Sequence, residues 1–561
     1  MIICNLISRA SLICLLASAS CVVAQPSVGK LARPTPQQVA WQERELGMMI
    51  CIGLETWQDK EEDTTLDTPL EKINPDKLDT DQWVSAAEAI GAKYIIFVAK
   101  HEGGFCLWQT ETTDYGVRNI PWRGGKGDMM KDLAESCRKR GIKLGVYLSP
   151  QDHYLGAGLG GRCKTPEAQQ RYDKIYRQQL SELLSRYGEM FEVWFDGSCI
   201  VDVSDLLKRY CPKAMVFQGP QATIRWVGNE DGLAPYPNWN SIPLARARSG
   251  VSTGEDGTPE GDAWLPNECD ARIRATWFWN STNANTLKSV EQLMTMYYQS
   301  VGRGAVLLLN MTPDTTGLMP VGDLTRATEF GAEIRRRFSR SIAETSGKGE
   351  RVELDLGRTA RIDHVITMEN IAQGERVREY VIEGLVSGQW KELCRGLSVG
   401  YKKIDSFNPT EVSKVRLRVI KSVAEPQVRQ LAVYAASGSP KDVAETVATN
   451  AVQKVWEWSP EIVGKEWQTV DIDLISFCKE ACVYQVDFTV AEGKPPLEIQ
   501  SLTLLQDGVA VPEFTQPVAQ SLRYNLTITG LGRAMVLRAV VRVSGGQKDS
   551  QGTMTLRKGQ Q

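Results

Sequence analysis

Between residues 40 and 340, short uninterrupted apolar runs alternate with amphipathic stretches. That alternation constrains the fold more than any other feature of the chain. LGMMICIGL (46–54), KYIIFVAK (93–100), IKLGVYLSP (142–150), FEVWFD (191–196), AMVFQG (214–219), TIRWVG (223–228) and AVLLLN (305–310) read as strands. The segments 81–92, 128–141, 166–188, 289–304 and 322–339 read as helices, two of them stopped by Gly141 and Gly188. A strand that is apolar on both faces belongs in a parallel sheet covered on both sides. Seven or eight such units over about 300 residues predict an α/β fold of the (β/α)8-like TIM-barrel type. A doubly wound open sheet is the alternative, disfavoured because no GxGxxG follows the first strand.

After about residue 345 the apolar period becomes two. RVELDLG, ARIDHVITMEN, REYVIEGLV, QWKELCRG, KVRLRVIK and RQLAVYA alternate as short strands, and a second set follows the polar stretch SGSPKDVAETVATNAVQ. The expected organisation is a leader at 1–24, a barrel at 35–343 and a galactose-binding-like β-sandwich at 344–437. A linker at 438–453 and a second β-sandwich at 454–561 complete it. A chain of 561 residues is too long for one core.

The opening residues carry one early charge, Arg9, then an apolar run and small residues before Gln25. This is the shape of an export signal cleaved after Ala24, with Cys21 as an alternative lipid-attachment point. A secreted or periplasmic protein is expected, without a transmembrane segment once the leader is removed. The net charge of −3 gives no basic field for phosphates, so no nucleic-acid partner is expected. Three histidines and no CxxC spacing argue against a bound metal, and no cofactor is expected. Cys51, Cys106 and Cys199 sit in apolar contexts, where a thiol behaves as a small hydrophobe.

FEVWFDGS (191–198) ends a buried strand on a carboxylate and a glycine. In a parallel barrel, catalytic groups stand at the carboxyl ends of strands. By two-residue alternation Trp194 points inward and Asp196 reaches the barrel mouth. The plain alternative is an Asp capping the next helix. Company weighs against it. AKHEGGFCLW (99–108) brings His101, Glu102 and Trp108 to another strand end; IRWVGNEDG (224–232) brings Arg225, Trp226 and Glu230. WLPNECDARIRATWFW (264–279) adds Glu268, Asp270, Arg272 and Arg274. Acids and indoles on one face suit carbohydrate, with carboxylates for chemistry and rings for C–H faces.

These stretches resemble glycoside hydrolase family 29, the α-L-fucosidases. KHEGGFCLW is similar to the family's KHHDGFCLW. GDMMKDLAESCRKRGIKLGVYLSP, YGEMFEVWFDG, RWVGNEDGLA and SVGRGAVLLLNMTP follow in the family's order. RWVGNE with WLPNECD is most similar to the branch acting on α-1,3 and α-1,4 fucosyl linkages. The resemblance implies a retaining, exo-acting enzyme on an oligosaccharide or glycoconjugate. It implies Asp196 as nucleophile, Glu230 as acid/base and His101 as a sugar-hydroxyl ligand. Glu102, Trp108, Trp194, Arg225, Trp226, Glu268 and Arg274 complete the expected binding set, with Glu268, Glu255 and Glu260 as rival acids.

Two departures stand out. Glu102 occupies the place of the family's second histidine, and Cys51 stands where the first strand of the family ends in a histidine. A thiol cannot replace an imidazole in hydrogen bonding, and a carboxylate only accepts. A retaining glycosidase for another, L-galactose-like sugar therefore stays open, as does a non-catalytic glycan-binding protein.

Overall fold

We describe a computed structural model, which covers residues 31–436 and, beyond them, chiefly the strands between 453 and 558. The leader and nearly all of the expected linker lie outside the described residues. Two compact units divide the chain near residue 442.

The first unit is built on eight parallel strands: β1 (Leu46–Ile50), β2 (Tyr94–Lys100), β3 (Lys143–Leu148), β4 (Met190–Trp194), β5 (Met215–Phe217), β6 (Arg225–Trp226), β7 (Asn267–Arg272) and β8 (Val306–Asn310). Their order is β5-β4-β3-β2-β1-β8-β7-β6. A lone parallel bridge between Phe217 and Ile224 joins the two ends of the sheet. This is the expected barrel, with two differences. Among the described residues, no helix longer than the four-residue Leu244–Ala247 follows β5 or β6. And β7 has no apolar run to announce it, because its inward positions are Glu268, Asp270 and Arg272.

Alternation sorts the strand residues into two apolar clusters. Met48, Ile50, Ile95, Phe97, Val146, Val193, Cys269, Ala271, Leu307 and Leu309 face the helices. Met49, Cys51, Tyr94, Ile96, Val98, Tyr147, Trp194, Phe217, Val306 and Leu308 fill the interior. The helix Pro36–Gln42, started by a Thr35 capping box, puts Trp41 into this interior cluster. The long helix Pro166–Arg186 docks on the outside through Leu180, Leu183 and Leu184. Each such buried leucine contributes about 1.5–3 kcal/mol. Its Tyr176 and Tyr172 hydroxyls donate to Leu148 O and Pro150 O, fixing the end of β3.

The same unit continues into a six-stranded antiparallel sheet over Ala343–Tyr434. Two of its strands, Arg351–Glu369 and Lys403–Ser422, are long and shift register between Asp355 and Ala360, which bends the sheet around its own core. The second unit has two four-stranded antiparallel sheets. They share one core, to which Trp458, Phe488 and Met554 come from one sheet and Leu502, Leu537 and Val541 from the other. Among the described residues, no helix is long and apolar enough to cross a membrane.

Candidate active site

The mouth of the barrel is assembled from the ends of β1 to β4, β6 and β7. Along β4 the inward residues are Glu192, Trp194 and, two residues beyond the end of the strand, Asp196. Gly197 turns the chain with φ 68°, and a Cβ there would lie 2.5 Å from Leu159 Cδ1. Glycine thus meets a backbone requirement beside the acid, since the nearby Leu159 tip is exposed and can move. The Tyr147 hydroxyl, from β3, donates to Asp196 Oδ2 at 2.8 Å. Tyr147 is held in turn by stacking on Trp194, 5.2 Å between centroids.

β2 ends in a register shift between Val98 and Lys100 against β3. The shift lets Lys100 turn outward, where it is fully buried, pairs with Asp152 at 2.7 Å and lies over Tyr172 and Tyr176. His101 then faces inward, stacked near Tyr147 (6.0 Å) and edge-on to Phe278 (5.0 Å). Its Nδ1 meets Glu55 Oε1 at 3.0 Å. Burial opposes the imidazolium, but the hydrogen bond and charge of Glu55, with Glu102 and Asp196, overcome it and raise His101 to about 9. Glu102 is half-buried and accepts from Gln151 Nε2 at 3.1 Å. Burial raises its carboxyl above the usual range; His101 pulls it back and Asp196 pushes it further. Glu61 is raised mainly by burial, against backbone donors from Trp277 and Phe278.

Glu230 is exposed. It accepts from Trp277 Nε1 at 3.1 Å and pairs with Arg272 Nη1 at 3.3 Å. A continuous run of contacts therefore joins the two expected catalytic acids: Asp196 to Tyr147, Tyr147 to His101, His101 to Phe278, and its neighbour Trp277 to Glu230. Among the described residues, no group of three or more His, Cys, Asp or Glu is arranged to hold a metal ion.

Four expected sugar ligands are placed elsewhere. Trp108 is fully buried, its indole N–H on Glu182 of the long outer helix. Arg225 is buried, donating to the carbonyls of Leu265 and Trp239; burial lowers it to about 9. Arg274 is spent on Asp323 and Asn283. Glu268 lies inside the barrel rather than at its mouth, accepting from the Tyr94 hydroxyl (2.6 Å) and from Trp194 Nε1 (2.9 Å). Its neighbour Glu192 is pushed well up by burial and then by the charge of Glu268, and Glu268 is itself raised by burial. In each case the cause is the same: a polar side chain in a buried setting finds a fixed internal partner. Trp194 points inward as expected but gives its N–H downward to Glu268. Trp226 is half-buried, with its N–H on Asp270. Glu255 and Glu260 are exposed loop residues.

The mouth also contains residues that the motifs did not single out. Tyr147 was legible by the alternation that placed Trp194, since it lies inward near the end of its own strand. Glu55 and Glu61 follow the end of β1, where strand-end logic applies equally.

Comparison with known proteins decides what this constellation belongs to. The family model described as Alpha-L-fucosidase matches residues 39–336. The chain belongs to the α-L-fucosidase family. It is 31% identical to Alpha-L-fucosidase 1 of Arabidopsis thaliana, over 76% of this chain and 92% of the relative. A solved Bacteroides thetaiotaomicron structure assigned to α-L-fucosidase shares 35% identity with a TM-score of 0.68, over 72% of this chain and 99% of that one. A solved glycoside hydrolase 29 family member from an unknown rumen bacterium has 26% identity and a TM-score of 0.69, and spans 94% of this chain and 100% of its own. The fucosidase match thus spans the barrel that carries every mouth residue described above.

Proposed function

We propose that this glycoside hydrolase removes terminal α-1,3- or α-1,4-linked L-fucose by double displacement, as an exo-acting, anomer-retaining fucosidase. The observation that carries the mechanism is the Tyr147 hydroxyl on Asp196 Oδ2 at the inward end of β4. That bond orients the carboxylate, so its Oδ1 attacks the anomeric carbon. Glu230 protonates the departing glycosidic oxygen, and the bond between sugar and aglycone breaks. A fucosyl ester on Asp196 results. Glu230 then takes a proton from water, the water oxygen bonds to the anomeric carbon, and Asp196 is released. A retaining pair works with carboxyl groups about 5–5.5 Å apart. His101, cationic through Glu55, donates to sugar hydroxyls.

The test uses an aryl α-L-fucoside with azide. Asp196→Ala loses turnover and azide restores it as β-L-fucosyl azide; Glu230→Ala with azide yields α-L-fucosyl azide. Products of the opposite pattern overturn the assignment, and first-formed β-L-fucose from the native enzyme overturns retention. Digestion of a panel of α-1,2-, α-1,3-, α-1,4- and α-1,6-fucosylated glycans tests linkage, and preferred release from the α-1,2 or α-1,6 members refutes it. Glu102 and Cys51 favour a second reading, a retaining enzyme for an L-galactose-like sugar. It prevails if an aryl α-L-galactoside is cleaved and the fucoside is not. Export to the periplasm or medium rests on the leader reading, and sequencing the mature N-terminus tests it.

A further inference from the structure

We infer that the antiparallel sheet after the barrel braces the loop that carries Glu230, and that Glu375 is a positioning residue for the proton donor. This rests on the assignment of Glu230 as acid/base. The loop between β6 and β7 runs over residues 227–266 with little regular structure: a two-residue ladder, Ser241–Ile242 against Ala263–Trp264, and the short helix Leu244–Ala247. Fixing loop backbone costs about 1–2 kcal/mol per residue, so a loop this long keeps one geometry only where outside groups hold it. Glu230 itself is exposed near its start, so its position follows the loop.

The outside groups come largely from the sheet. Glu375 is 2% exposed, and both its oxygens are given to one loop residue: Oε2 accepts from Asn240 N (3.1 Å) and Oε1 from Asn240 Nδ2 (2.6 Å). Arg378, three residues on, donates to Pro259 O at 2.8 Å and lies over the Trp239 ring at 4.7 Å. From the barrel side Arg225 grips Trp239 O at 2.5 Å. Trp239 and Asn240 are thereby clamped between β6 and the sheet. Tyr236 accepts from Leu397 N at 2.9 Å. Glycines leave room for these contacts: a Cβ on Gly400 would lie 2.9 Å from Glu375 Oε1, and one on Gly396 would crowd the hydroxyls of Tyr380 and, at 2.7 Å, Tyr236. Closer to Glu230, Asn229 Oδ1 accepts from Asp231 N and Leu233 N, and Arg303 Nη1 donates to Ala234 O. The hold is therefore passed from Asn240 back towards the acid in short steps.

A buried carboxylate is costly, and burial raises Glu375 against the Asn240 hydrogen bonds and the charges of Arg378 and Arg225. Retaining it for one asparagine makes sense where that asparagine must stay in place. Removing it lets Asn240 and the loop relax, and Glu230 loses its distance from the glycosidic oxygen without losing its chemistry.

Aryl α-L-fucosides of graded leaving-group pKa provide the test, through kcat/KM, which reports the first displacement. Glu230→Ala shows a steep dependence on leaving group. Glu375→Gln and Glu375→Ala are expected to keep kcat/KM for the 2,4-dinitrophenyl fucoside within about twofold of native and to lose on the order of 10- to 100-fold with a poor phenol. Thermal unfolding confirms that the Gln variant is folded. Equal losses on both substrates, or none, overturn the brace. A flat Glu230→Ala series overturns the acid/base assignment and the brace with it, whereas a steep Glu230→Ala series beside flat Glu375 variants overturns the brace alone.

Discussion

The ion pair between His101 and Glu55 can be cut with one substitution. Glu55→Gln keeps the shape and removes the charge that holds the imidazolium. In the native fold His101 sits at about 9 rather than its ordinary 6.5. A group raised in the folded state lends stability that is complete below the unfolded value of 6.5 and disappears as pH climbs through 9. The difference between those values corresponds to about 3 kcal/mol. His101 has a 19% accessible side chain, so most of this is retained against solvent screening. In Glu55→Gln, burial acts with less opposition and His101 becomes neutral at neutral pH. Three histidines in the chain make the ring C–H resonances tractable by NMR. Native His101 should titrate near 9 and the variant below 6.5. The stability gap between the two, read by denaturant unfolding, should be widest at pH 5–6.5 and shrink towards pH 9. His101 titrating near 6.5 in both proteins, or a gap that widens with pH, would refute the reasoning.

Tyr147→Phe removes the hydrogen bond to Asp196 and should lower kcat by about 10- to 100-fold, the cost of a bond to a charged group, with folding intact by circular dichroism. Arg274→Ala strands Asp323 in the core and should cost about 3–5 kcal/mol in unfolding free energy, while the KM of the surviving enzyme stays near native; a raised KM at native stability would return Arg274 to the sugar pocket. Gly197→Ala, at φ 68° and 2.5 Å from Leu159, should depress kcat by displacing the acid's turn, and native kinetics would show that the turn has slack.

The sequence carried the barrel because its strands are apolar on both faces, and a run such as KYIIFVAK permits few other settings. It did not carry β7, whose inward Glu268 and Asp270 look like catalytic acids when read as text. Whether a carboxyl stands at the mouth or in the interior depends on how many residues precede the end of its strand. Asp196 lies beyond the last strand residue and Glu268 lies at the second position of its own. Strand boundaries are the least legible element of a sequence, and here they separate a partly buried acid at the mouth from an interior one. Trp108, Arg225 and Arg274, read as sugar ligands, have buried partners in Glu182, Leu265 and Asp323 that no local motif reveals. The inward direction of His101 and Trp194 follows motif and alternation because their surroundings are set by adjacent strand ends.

Trp194 separates two acidic systems on one strand face: the Glu192 and Glu268 carboxyls on one side, Asp196 on the other. An indole donates a hydrogen but has no lone pair to receive one. Protons held deep in the barrel have no relay through this side chain to Asp196. Burial thus raises the interior carboxyls behind an indole that passes no proton on to the groups around the mouth.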